Sequence, residues 1–231
     1  MVRSVIFNIV FYFSIPVFGI FFLPFLTSRR LTRLVVKMWA NFIILSLRFI
    51  IGIKINFTND YIKRKKGYLI AANHQSVFDT IFFLTTFDKV IYIIKKELKG
   101  IPIYGWYAAR LGHIFLDRNQ KVKSMKIVTK NIKNLIKQGY KIIIFPEGTR
   151  QLPNTIGNMK PGIFAMQALI KSKVYPIYIN SGNSWPKKSF KKNKVDIFVK
   201  ALTPVEKSEN KKVFLNKLKD IFLEAKKNIS S

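Results

Sequence analysis

"GYLIAANHQSVFD", Gly67 to Asp79, carries the clearest structural pattern in this 231-residue chain. It opens with an apolar run of strand length, and it then carries His74, one of only two histidines, five residues before Asp79. Side chains five residues apart on one helix point about 140° apart, so they cannot pair within a helix. They can pair if His74 ends a strand and a helix begins near Ser76. The stretch therefore predicts a strand–turn–helix unit with a histidine beside an acid.

A carboxylate beside an imidazole fixes the ring tautomer and stabilises the charged ring. A histidine held in this way is a suitable general base near neutral pH. The simpler interpretation is a strand-end histidine that caps a neighbouring helix. A metal site is disfavoured, because the other histidine, His113, has no ligand-like spacing to His74.

Two further motifs follow predicted strands. "IIIFPEGTR", Ile142 to Arg150, ends an apolar run in a tight turn, where backbone amides, a hydroxyl and a guanidinium converge as an anion site requires. "GHIFLDR", Gly112 to Arg118, places an arginine at a strand end, where it can bind a phosphate with two hydrogen bonds. Taken singly, the first could be an ordinary β-turn and the second a surface salt link.

The chain from residue 57 to 231 alternates short apolar runs with helical periodicity, which predicts an α/β fold with sites at the strand ends. The apolar runs suit a mixed, largely parallel sheet flanked by helices on both faces. Pro176 suggests that its strand lies at an edge or contains a bulge. The strand candidates are "GYLIAAN", "VIYIIK", "HIFLD", "YKIIIFP", "VYPIYIN" and "VDIFVKAL".

Residues 1–56 read as a separate, membrane-docking helical pair that precedes this domain. Val5 to Leu26 is uncharged and near the ~20 residues that span a bilayer, but prolines and a glycine interrupt it. Leu31 to Ile53 carries charges among apolar residues and suits an interfacial amphipathic helix. A signal peptide is disfavoured, because the apolar run is long and has no small-residue cleavage site. The pattern is compatible both with a span and with a hairpin in one leaflet.

The formal charge of +30 points to anionic partners such as a membrane surface, phosphorylated substrates or nucleic acid. Part of this charge can reflect a general drift toward Lys, Ile, Asn and Phe. Most aromatic residues lie in strand-like or membrane-like runs rather than among exposed basic residues, which argues against nucleic acid. The chain has no cysteine, so disulfides, thiolate nucleophiles and cysteine-based metal sites are excluded. It also lacks the G-x-S-x-G elbow of serine esterases.

These motifs together resemble the lysophosphatidic acid acyltransferase (1-acylglycerol-3-phosphate acyltransferase) family. The four motifs of that family stand here as "NHQSVFD", "GHIFLDR", "FPEGTR" and "VYPI", across about residues 68–185. The lysine-containing "IKKELKGIPIYGW" and the apolar N-terminal pair are also similar to family segments. Leu116 stands where isoleucine is commoner, and Gln151 stands where a small or basic residue is frequent; neither is a catalytic group.

The resemblance implies transfer of a fatty acyl group from a thioester to the sn-2 hydroxyl of lysophosphatidic acid, giving phosphatidic acid for phospholipid synthesis. His74 would be the general base, and Asp79 would orient it. Ser76 fits a helix cap better than an acyl carrier. The residues implied to bind the substrate are Lys95, Arg118, Glu147, Gly148, Thr149 and Arg150.

No cofactor or metal is implied, and the donor would be acyl-coenzyme A or acyl carrier protein. The expected location is the inner (cytoplasmic) membrane, with the site facing the cytoplasm. Two alternatives stay open at this point. The acceptor could be another lysophospholipid or a lyso-aminolipid, or the chain could be a non-catalytic basic protein that binds membranes.

Overall fold

The computed structural model describes residues 1–58, 62, 66–117 and 122–230, without the side chains of residues 122–127 and 230. Within these residues, seven strands form one sheet in the order β1-β7-β6-β2-β5-β3-β4. All neighbours are parallel except β6 and β7, which are antiparallel. The strands are β1 Ile55–Thr58, β2 Tyr68–Ala72, β3 Val90–Lys95, β4 Ile114–Leu116, β5 Lys141–Ile144, β6 Val174–Ile179 and β7 Ile197–Ala201.

Helices cover both faces of this sheet. One face packs against α1, α2 and α3, and the other packs against α5, α6 and α7. The five residues of β2 are all buried, as expected for a central strand covered on both sides. The α-helices are α1 Val2–Phe21, α2 Arg29–Ser46, α3 Phe78–Thr86, α4 Tyr104–Leu111, α5 Val122–Lys137, α6 Pro161–Ile170 and α7 Lys211–Ser230. The predicted mixed, largely parallel sheet between helices is confirmed.

Pro176 corrects one expectation, because its strand β6 lies inside the sheet between β2 and β7. Its carbonyl accepts a hydrogen bond from the Leu202 amide at 2.9 Å, just beyond the ladder that pairs Ile177 with Ala201. The N and O of a strand residue point to the same side, so the nitrogen of Pro176 also faces β7. The missing N–H therefore falls at the end of the antiparallel ladder. An inner strand therefore accommodates the proline without losing a central hydrogen bond.

The N-terminal helices share the hydrophobic core of the α/β body. Trp185 meets the rings of Phe7 and Phe11 edge-on, each at a centroid distance of 5.0 Å. The Asn8 side-chain amide donates to the Phe190 carbonyl at 2.8 Å in the same loop. The boundary predicted after residue 56 falls within β1, a strand that the sequence analysis did not identify.

The outer faces of α1 and α2 remain exposed and apolar. Val2–Phe21 and the helical run Arg29–Ile51 are each long and apolar enough to cross a bilayer, by length and composition alone. Ile9, Phe13 and Phe21 are each more than 60% exposed. These helices fit membrane association.

Candidate active site

The predicted motifs meet at one edge of the sheet. Strands β6, β2, β5, β3 and β4 are neighbours and run parallel, so their carboxyl ends lie along the same edge. The histidine motif follows β2, the glutamate motif follows β5 and Lys95 ends β3.

His74 and Asp79 form the pair that the sequence predicts. Nδ1 of His74 lies 2.8 Å from Oδ2 of Asp79. His74 follows the end of β2, and Asp79 lies in the first turn of α3, which begins at Phe78. The helix therefore starts two residues later than expected, and the acid still turns back toward the ring.

Asp79 is fully buried and has donors on both carboxylate oxygens. Oδ2 also accepts from the backbone amides of Gln75 and Ser76 at 2.8 and 2.9 Å. Oδ1 accepts from the hydroxyl of Ser181, which follows the carboxyl end of β6. All of these partners are donors, as a carboxylate acceptor requires, and the carboxylate lies beside the imidazole.

The environment of His74 determines which ring nitrogen is available for chemistry. Since Nδ1 points at a carboxylate, Nδ1 carries the proton and donates it, and Nε2 is left as the acceptor. The ring stacks on Phe145 at a centroid distance of 4.0 Å, and 17% of the side chain is exposed. His74 lines an open cleft, so Nε2 is the atom that a substrate can reach.

Glu147 is placed differently from the substrate contact that the resemblance implies. It is 2% exposed and is not among the residues that line the cleft. Oε2 accepts from the His74 amide and Oε1 accepts from the Gly157 amide, both at 2.7 Å. Burial raises the pKa of Glu147 from 4.5 to about 7, although the two amide hydrogen bonds act against this rise. This placement favours positioning of the His74 backbone over contact with substrate.

The turn that contains Glu147 has the predicted tight geometry. Gly148 adopts a φ of +73°, a conformation that favours glycine, and its amide donates to the Phe145 carbonyl at 3.0 Å. The next residues, Thr149 and Arg150, face the cleft together with Gly148.

The cleft has a volume of about 630 Å³ and holds His74 with several cations. Lys95, from the end of β3, and Arg150 line it. Lys160 also lines it, immediately before the first turn of α6, where helix amides favour an anion. Apolar walls come from β3, β4 and α6, including Ile93, Leu116 and Met166. Arg118 lies outside the described residues.

Three contributors to this site were not identified from the sequence. Ser181 follows the fourth motif within "INSG", and its position after a strand at the active edge is a usable signal. Lys160 directly precedes a helix that begins with proline, and a lysine before a helix N-terminus is a signal for anion binding. The stacking of Phe145 depends on the position of a ring 71 residues away, and no local pattern predicts it.

Ser76 is buried, and its hydroxyl accepts from the Phe78 amide at 3.1 Å, at the start of α3. This is the cap-like placement expected of it. Among the residues described, no group of three or more metal-ligating side chains occurs.

A family model described as Acyltransferase matches residues 54–180, which is more than half of the chain. The match covers the histidine and glutamate motifs together with the strands that carry them. The chain belongs to the Acyltransferase family. Transfer of acyl groups is therefore its reaction class.

Similar proteins point in the same direction. A 1-acyl-sn-glycerol-3-phosphate acyltransferase of Pseudomonas aeruginosa is 32% identical over 83% of this chain and 76% of its own length. One of Saccharomyces cerevisiae is 28% identical over 58% of this chain and 46% of its own length. The crystal structure of the 1-acyl-sn-glycerophosphate (LPA) acyltransferase PlsC from Thermotoga maritima superposes with a TM-score of 0.80. That comparison covers 100% of this chain and 97% of the other at 21% identity, and so shows the shared fold.

Proposed function

We propose that this enzyme transfers a fatty acyl group from a thioester to the sn-2 hydroxyl of 1-acylglycerol-3-phosphate, with His74 as the general base. The observation that carries the proposal is the His74–Asp79 pair at the wall of a cleft that also holds Lys95, Arg150 and Lys160. A base and several cations in one cleft suit an acceptor that has both a hydroxyl and a phosphate. The names of the Pseudomonas and yeast relatives support the same acceptor.

The chemistry follows from the orientation of the imidazole. Nε2 of His74 takes the proton of the acceptor hydroxyl as its oxygen attacks the thioester carbonyl carbon. Asp79 stabilises the imidazolium that forms, because its buried carboxylate lies 2.8 Å from Nδ1. When the tetrahedral intermediate collapses, the carbon–sulfur bond breaks and the imidazolium returns the proton to the thiolate. The acceptor attacks directly, so no acyl group is attached to the protein.

The phosphate of the acceptor would be bound by the cations of the cleft. Arg150 can bind two phosphate oxygens with its planar guanidinium, and Lys95 and Lys160 add point charges. Arg118 is proposed as a further phosphate ligand on the basis of the resemblance. Gly148 and Thr149 line the same wall and would shape the space for glycerol.

The exposed apolar helices would give the enzyme access to its lipid substrates. Acceptor and product stay in the bilayer, while acyl-coenzyme A or acyl carrier protein approaches from the aqueous side. We propose the inner face of the cytoplasmic membrane as the location. No cofactor is needed for the proposed steps.

The test uses the purified protein in detergent, with lysophosphatidate and an acyl thioester. His74→Ala should lower the initial rate by a factor of roughly 10² to 10⁴, with unchanged circular dichroism and vesicle binding. Arg150→Gln should raise the KM for lysophosphatidate far more than the KM for the thioester. Lys130→Gln is the matched control, because it removes the same charge from an exposed position on α5. Turnover by His74→Ala at the wild-type rate would refute the base assignment.

The identities of the acceptor and donor are tested separately. Mass spectrometry of the lipid products from defined lysophospholipids, with each donor type, should show phosphatidate as the main product. Preferential acylation of a lysophospholipid with another headgroup would favour the alternative acceptor. Absence of acylation with every acceptor would favour a membrane-binding protein without catalysis.

A further inference from the structure

A second basic site lies at the amino edge of the sheet, away from the cleft. It is a pocket of about 830 Å³ between α2 and the α3–β3 loop, which we call the α2 basic pocket. Its cationic residues are Arg30, Arg33, Lys37 and Lys89. Lys89 immediately precedes β3, whereas the cleft follows the carboxyl ends of the strands. The two sites therefore lie at opposite edges.

Three cations of this region converge on one aromatic ring. The charged groups of Arg29, Arg33 and Lys89 lie 5.2, 5.8 and 5.5 Å from the centroid of Tyr140. Nη1 of Arg33 also donates to the Tyr140 hydroxyl at 3.2 Å. The ring offsets part of the repulsion between these like charges, and a bound anion would offset more.

The acid among the described lining residues is already paired. Asp88 accepts from Nζ of Lys37 at 2.5 Å, and this hydrogen bond, the Lys37 charge and nearby Lys141 and Arg33 lower the pKa of Asp88. Beside the pocket, burial lowers the pKa of Lys141, while the Asp88 charge raises it and the neighbouring Lys89 charge lowers it. The charges around the pocket thus leave a net positive field.

The pocket opens onto the apolar face of α2. Leu31 and Leu34 line it and are 38% and 54% exposed. The exposed stripe continues along the helix with Met38, Phe42 and Leu45, at the three- to four-residue spacing of one helix face. An occupant that has a charged head and an apolar body matches this arrangement, whereas inorganic phosphate would use only the basic part.

We propose that the α2 basic pocket binds the headgroup of an anionic phospholipid in the leaflet on which α1 and α2 dock. The lipid phosphate contacts Arg33, Arg30 and Lys89, and the acyl chains lie along the stripe that begins at Leu31. The proposal goes beyond acyl transfer and does not depend on it, because none of these residues lines the cleft.

The test compares vesicle binding by two charge-matched double variants of the full chain. Arg33→Gln with Lys89→Gln removes two charges from the pocket. Lys130→Gln with Lys133→Gln removes two from exposed positions on α5, on the opposite face of the sheet. Flotation is measured on phosphatidylcholine vesicles with and without phosphatidylglycerol. Near a membrane each basic residue contributes roughly fivefold in affinity, so the pocket variant should bind anionic vesicles roughly 25-fold more weakly.

On the anionic vesicles the α5 variant should change by less than about twofold, because its charges face away from the leaflet. On pure phosphatidylcholine both variants should bind like the wild type. Arg33→Lys with Lys89→Arg should restore most of the binding. If the Gln variant does not fold, Arg30→Gln alone should still weaken anionic binding about fivefold.

Three results would overturn the proposal. Equal losses for the pocket and α5 variants would indicate diffuse attraction by net charge. An unchanged pocket variant would remove the site. If the pocket variant binds an oligonucleotide roughly 25-fold more weakly but still binds anionic vesicles like the wild type, the pocket would be assigned to a soluble polyanion instead.

Discussion

Asp79→Asn removes the negative charge of the buried acid and keeps the shape of the side chain, so it separates the effect of the charge from that of the geometry. All four partners of the carboxylate are donors, namely two backbone amides, the imidazole and the Ser181 hydroxyl. The Asn side chain can place its oxygen where Oδ2 now lies and keep three of these bonds. Its NH₂ group then faces Ser181, whose hydroxyl can rotate to accept. We therefore expect the same ring tautomer and nearly the same structure without the negative charge.

The expected loss follows from the distance between the charges. Nδ1 and Oδ2 are 2.8 Å apart, and the centres of the two delocalised charges are somewhat farther apart. Unit charges about 4 Å apart attract by about 4 kcal/mol at an effective dielectric constant of about 20. If that attraction acts only once the imidazolium forms, its loss slows the reaction by about 10³. Stability should change little or rise, because a fully buried charge is removed.

The assay is kcat with saturating lysophosphatidate and thioester, together with thermal unfolding in detergent. Asp196→Asn is the control, since Asp196 also accepts a backbone amide, from Lys54 at 2.9 Å, but stands outside the site. It should keep wild-type kcat. A fall in kcat of less than about tenfold for Asp79→Asn would refute the electrostatic role. A large loss of stability would refute the claim that asparagine satisfies the same partners.

Three other perturbations test the surrounding structure. Glu147→Gln leaves one of two buried backbone amides facing an NH₂ group, so we expect a loss of about 1–3 kcal/mol in stability. We also expect a lower kcat with unchanged KM for lysophosphatidate. An increase in KM alone would instead indicate substrate contact. Burial lowers the pKa of His113 to about 3. Because the unfolded chain takes up this proton below about pH 6.5, stability should fall as the pH drops from there toward 3, by up to about 5 kcal/mol. His113→Gln should flatten that part of the curve of unfolding free energy against pH, and an unchanged slope would contradict the assignment. Gly19→Ala would place a Cβ 2.3 Å from a methyl carbon of Ile103 and should lower the free energy of unfolding by about 1–3 kcal/mol. Gly100→Ala, whose Cβ meets open space, should leave the unfolding temperature unchanged. Equal effects of the two substitutions would contradict close packing of α1.

The histidine–acid pair could be predicted because its geometry is local. His74 and Asp79 are separated by one turn between a strand and a helix, so the local spacing allows them to pair once the strand and helix are assigned. Ser181 holds the other oxygen of Asp79 from 102 residues away. No pattern near Asp79 indicates that partner. The same holds for Glu147, whose bond to the His74 amide spans 73 residues.

From the residues alone one can predict the strands and helices that carry the motifs, the shared edge where the motifs meet and a possible pair of His74 with Asp79. These features depend on apolar periodicity and on backbone geometry over a few residues. Three features emerge only once the chain is folded. Glu147 turns inward to hold the backbone, Lys160 joins Lys95 and Arg150 at the cleft, and a basic pocket opens at the opposite edge. The orientation of a side chain at a strand end depends on packing and hydrogen bonds from segments distant in the chain, and local sequence does not encode those contacts.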